Sequence, residues 1–94
     1  MSDDKRYDEV QRADMAQMIL SSPVMKDALD TIERDILNAW EATAPRDSEA
    51  REKAWLFYLV AKKFRATLTS YIDTGKMARM QIEEKRRFSL FRSN

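Results

Sequence analysis

Cysteine and histidine are both absent from this chain of 94 residues. Without thiols there are no disulfides and no thiolate nucleophile, and without imidazole the commonest general base is missing. Zinc sites built on sulfur or imidazole are excluded with them. One glycine and two prolines leave few places for the tight turns that β-hairpins need repeatedly, so helices joined by short connections are favoured. No stretch approaches the roughly 18 uninterrupted apolar residues of a membrane span. The start, Met1 to Arg12, is charged rather than signal-like, which points to the cytoplasm. These absences remove most enzyme templates and imply neither cofactor nor small-molecule substrate, leaving a chain expected to work by binding a partner.

What is present is enough for one compact domain over residues 1–94: 44% of the chain is apolar, although so short a chain leaves a large share of its surface wet. The net charge of +1 hides an uneven distribution. Residues 1–47 carry six Lys or Arg against eleven Asp or Glu, a balance of −5, whereas residues 48–94 carry eleven against five, a balance of +6. Acidic helices packing beside a basic one would account for this, and so would a basic face turned to nucleic acid or to an acidic partner.

Periodicity predicts an all-α protein, a small bundle of three to four helices over about 4–20, 23–43, 48–74 and 76–88, with a long C-terminal helix and an oligomeric state. In the first, Tyr7, Val10, Met15, Met18 and Ile19 fall near a helical spacing. Ser22 followed by Pro23 is a helix start, a capping hydroxyl followed by a residue that needs no hydrogen-bond partner for its nitrogen. The second helix has the clearest stripe, with Met25, Ala28, Leu29, Ile32, Ile36, Ala39 and Trp40 on one side. Its other side carries Lys26, Asp27, Asp30, Glu33, Arg34, Asp35 and Glu41, read as solvated, with Asp30 and Arg34 as an i, i+4 pair. Pro45 breaks the pattern and Asp47 is placed to cap the third helix.

The third helix contains AWLFYLVA, Ala54 to Ala61, a run without a polar side that is expected to be buried on several sides. Phe57, Ala61, Phe64, Leu68, Tyr71 and Ile72 continue one stripe, while Trp55, Leu56 and Leu59 belong partly to another. Two apolar sides need two sets of neighbours, and a second copy of the chain is one source. Candidate interface residues are Met15, Met18, Trp55, Leu56, Leu59, Phe88, Leu90 and Phe91. Gly75 either ends this helix as a left-handed cap or lies inside a longer helix at a cost of roughly 1 kcal/mol.

Residues 88–94 read as a flexible tail, within or beside a segment, Lys85 to Arg92, that interleaves cations with Phe88, Leu90 and Phe91. Such a segment can close the bundle, dock into a partner or pair with phosphates and bases. The basic residues Lys62, Lys63, Arg65, Lys76, Arg79, Lys85, Arg86 and Arg87 are the candidate nucleic-acid contacts, provided the third helix continues through Gly75. Neither zinc-finger spacing nor an RNA-binding sheet motif accompanies them. Carboxylates alone do not complete the histidine-containing di-metal sites of helical bundles. The aromatic residues at helical spacing read as core, and the six methionines suit an irregular core or an adaptable interface.

Ala44 to Ala78, APRDSEAREKAWLFYLVAKKFRATLTSYIDTGKMA, resembles short helical proteins encoded by tailed bacteriophages: a Pro-bearing turn, an acidic cap, an REK-W start, an aromatic helix and a TGK step. The resemblance covers a little over a third of the chain and includes no catalytic signature. It implies a small virion or head-assembly component, in the host cytoplasm or the virion. The sequence thus leads to a non-enzymatic, self-associating protein acting through protein–protein contact. Its alternatives are a DNA-associated packaging or regulatory protein using the basic half, and an inhibitor of a host protein.

Overall fold

A computed structural model describes residues 2–92, with side-chain surroundings for residues 4–91. It contains three helices in chain order, α1 (Ser2–Ser21), α2 (Pro23–Glu41) and α3 (Ser48–Arg92), and no strand among the described residues.

The helix boundaries follow from local hydrogen bonding. Ser22 is extended (φ −67°, ψ 123°) and its hydroxyl accepts from the Met25 N–H at 3.4 Å, with Pro23 opening α2 as the sequence predicts. α2 stops at Glu41, two residues before the expected end. The Thr43 N–H and hydroxyl both donate to the Trp40 carbonyl, at 3.1 and 2.6 Å, and draw the chain out of the helix. Asp47 caps α3, its carboxylate accepting from the Ala50 N–H at 3.1 Å, and Glu49 adds negative charge to the first turn.

The expected division into helices over 48–74 and 76–88 is not observed: α3 runs without interruption for 45 residues. Gly75 is helical, and its backbone has no positive φ. The helix also continues through residues 88–92, where a tail was expected; Ser93 and Asn94 lie outside the described residues.

The fold divides into two compact units, one of α1 to Ile19 with α3 from Leu68, the other spanning Leu20–Thr67. In the first, Tyr7 lies near Ile82 to Ser89 while Ala13 lies at Gly75, so the two helices run antiparallel. Ala13, Ala16, Gly75 and Ala78 are its buried residues. A Cβ at Gly75 would overlap that of Ala13 and stand 3.1 Å from the Glu9 carbonyl oxygen. Absence of a side chain is what permits this backbone approach. Arg79 pairs with Asp14 at 3.2 Å, and the Arg12 guanidinium covers the Tyr71 ring at 4.1 Å.

In the second unit, α2 and the first part of α3 form an antiparallel hairpin. Arg65 reaches back to Asp30 and Glu33, at 3.4 and 3.3 Å, and Arg51 reaches Thr43 at 3.2 Å. Asp30 and Glu33, read from sequence as a solvated face, thus bind α3 to α2. Leu29, Ala54 and Ala61 are buried between the helices, and Met25, Ile36 and Tyr58 are half-buried.

Across both units, Leu29 is the one buried residue larger than alanine among those described. The expectation that Ala54 to Ala61 is buried on several sides is therefore not met within one chain: Trp55, Leu56, Phe57, Leu59 and Val60 are all exposed. A single packed helix covers only an arc of about 100°, and this run occupies the full circumference.

Candidate protein-interaction surface

The hairpin of α2 and α3 presents two flanks that differ in chemistry. On one, Ala28, Ile32 and Ile36 of α2 recur at a spacing of four and line a groove with Phe57, Val60, Ala61 and Phe64 of α3, spaced by three, one and three. The groove has a volume of about 350 Å³, and Met25 and Leu29 complete a lining that contains no polar or charged residue. Its rim is open to solvent: Phe57 is 63% exposed, Val60 66%, Ile32 48% and Phe64 47%. No side chain of this lining is titratable. What it can do is bury apolar side chains.

The opposite flank is mixed. Ile36, Leu37 and Trp40 meet Ala54, Trp55 and Tyr58 around a hollow of about 260 Å³. The Arg51 guanidinium lies over the Trp40 ring at 4.3 Å, and the Lys62 ammonium lies 5.2 Å from the Tyr58 ring centre. Trp55 and Tyr58 pack with centroids 5.9 Å apart at a tilt of 33°. Cations and aromatic rings here contact one another within the chain.

The candidate interface residues are dispersed. Trp55 joins the mixed flank, while Leu56 and Leu59 are exposed on α3. Met15 and Met18 are exposed on α1, and Phe88, Leu90 and Phe91 are exposed near the end of α3. The wholly apolar groove is lined instead by Phe57 and Phe64, which were assigned to the core stripe. The signal lay in the width of the run at 54–61, which exceeds the arc one helix can cover.

The basic residues fare differently from one another. α3 does continue through Gly75, but Arg65 is engaged by Asp30 and Glu33, Arg79 by Asp14, and Lys62 by Tyr58. Lys85 and Arg86 line a shallow depression with Tyr7, Ile82 and Ser89. Lys63, Lys76 and Arg87 are exposed on α3. Acidic side chains therefore compensate part of the positive charge that composition assigns to this half.

Among the described residues no group of carboxylates is arranged to hold a metal ion, and no helix is long and apolar enough to cross a membrane. No family model matches the chain, and comparison with curated proteins and with solved structures also finds no match.

Proposed function

We propose that this chain is a non-enzymatic helical interaction protein that acts by burying apolar side chains against other protein surfaces, including its own copies. The observation that carries this reading is the inversion of the usual distribution: the buried set is almost entirely alanine, while Phe57, Val60, Phe64, Trp55 and Leu56 lie open. Exposed apolar area on this scale marks a binding surface in a protein that remains dispersed. The likeness of residues 44–78 to short tailed-phage proteins supports a place among virion or head-assembly components, in host cytoplasm or virion.

The alternative, a DNA-associated packaging or regulatory protein, draws on Lys63, Lys76, Arg86 and Arg87 together with the +6 balance of residues 48–94. The engagement of Arg65 and Arg79 by carboxylates weakens it, because a cation already paired releases fewer counterions on meeting phosphate.

Light scattering at low and high salt, with and without a short DNA duplex, separates the two. The interaction reading predicts a mass above one chain that persists at high salt, since apolar burial is not screened, and that does not change with DNA. A monomer at tens of micromolar that gains mass with DNA only at low salt would replace it with the DNA reading.

A further inference from the structure

We infer that the charge-free groove of the α2/α3 hairpin is closed by the same groove of a second copy, forming a two-fold four-helix bundle in which α2 of each protomer packs on α3 of the other. This rests on the protein–protein reading above and names its partner, surface and orientation.

Three observations select this arrangement. First, the groove lining contains no polar or charged residue, and a flank without charge can face its own copy without burying an unpaired ion. Second, the groove rim is open: Phe57, Val60, Ile32 and Phe64 are 63%, 66%, 48% and 47% exposed, apolar surface that a second copy removes from water. Third, charge fixes the orientation. α2 carries Lys26 and Arg34 against Asp27, Asp30, Glu33, Asp35 and Glu41, a balance of −3. Residues 48–67 of α3 carry Arg51, Lys53, Lys62, Lys63 and Arg65 against Glu49 and Glu52, a balance of +3; without the Arg65–Asp30–Glu33 cluster, paired within the chain, the two balances are −1 and +2 and keep their opposite signs.

Two face-to-face packings of such hairpins keep all neighbouring helices antiparallel. With the two-fold axis along the helices, acidic α2 lies on the partner's basic α3, and every helix has neighbours of opposite charge. With the axis across the helices, α2 lies on α2 and α3 on α3, placing like charges together. Complementary potentials favour the first. Within one hairpin Arg65 is level with Asp30 and Glu33, so the first packing brings Ile32 of one protomer to the level of Phe64 in the other.

The chain has no cysteine, so introduced thiols report without background. Ile32→Cys and Phe64→Cys proteins are mixed, oxidised and resolved by mass, while light scattering follows Val60→Glu and, on the other flank, Leu37→Glu, with circular dichroism to confirm helicity. The expected result is a dimer, a mixed Ile32→Cys/Phe64→Cys cross-link exceeding either self-cross-link, and a dissociation constant raised at least about a hundredfold by Val60→Glu, because two-fold symmetry buries two unpaired charges. Leu37→Glu leaves the dimer intact. Self-cross-links in place of the mixed one would overturn the orientation. A dimer that survives Val60→Glu but is lost with Leu37→Glu would overturn the groove while leaving the protein–protein reading in place. A helical monomer at both salts would overturn the second copy as occupant; that reading itself falls only if the monomer also binds DNA at low salt.

Discussion

Gly75 of α3 lies against Ala13 of α1 so closely that a methyl group on the glycine would occupy the space of the alanine methyl. The contact explains why a residue with poor helical propensity stands inside a helix of 45 residues. It also sets two effects of opposite sign against each other. In an exposed helix, alanine in place of glycine stabilises by up to about 1 kcal/mol. At a filled contact, overpacking costs about 1–3 kcal/mol.

Gly75→Ala is therefore expected to destabilise the protein by about 1–2 kcal/mol net, measured by denaturant unfolding at one fixed protein concentration. The exchange Ala13→Gly with Gly75→Ala should recover much of the loss, since it moves one methyl from one side of the contact to the other. A more stable Gly75→Ala protein would mean that the two helices do not approach as described.

Leu29 is the one large side chain buried by the hairpin among the described residues. Leu29→Ala should cost about 2–5 kcal/mol, measured in the same way. Leu37→Ala on the mixed flank, half open to solvent, should cost well under half as much. Equal losses would contradict the burial of Leu29.

Asp47 caps α3 through the Ala50 N–H. Asp47→Ala should cost about 1 kcal/mol, while Asp47→Asn, which retains a capping oxygen, should stay within a few tenths of the parent. Thermal melts of the three proteins measure this. A loss with asparagine as large as with alanine would assign the effect to charge rather than to the cap.

Arg65 holds two carboxylates on α2, with all three side chains in partial contact with water. A double-mutant cycle of Arg65→Met and Glu33→Gln should give a coupling of about 0.2–1 kcal/mol that shrinks toward zero at molar salt. Salt-independent coupling would point to packing of the arginine stem instead.

Local rules made much of the fold legible. Ser22-Pro23 and Asp47 identify helix starts because a cap acts within three residues, and scarcity of glycine and proline identifies the helical class. The α2 stripe was equally readable, since periodicity belongs to one helix. The early end of α2 was missed because Thr43 competes for a single carbonyl.

The sequence by itself determined that this protein is helical, where two of its three helices begin, and that its apolar surface exceeds what one neighbouring helix can cover. Only the tertiary structure decided that Gly75 serves a contact rather than a break, that Phe57, Val60 and Phe64 line an open groove rather than a core, and that Arg65 and Arg79 are held by carboxylates. The carboxylates that hold the two arginines lie 32 to 65 residues away along the chain. Hydrogen bonds within a turn can be read from neighbouring residues, but which side of a helix is covered depends on the surface that another helix brings to it.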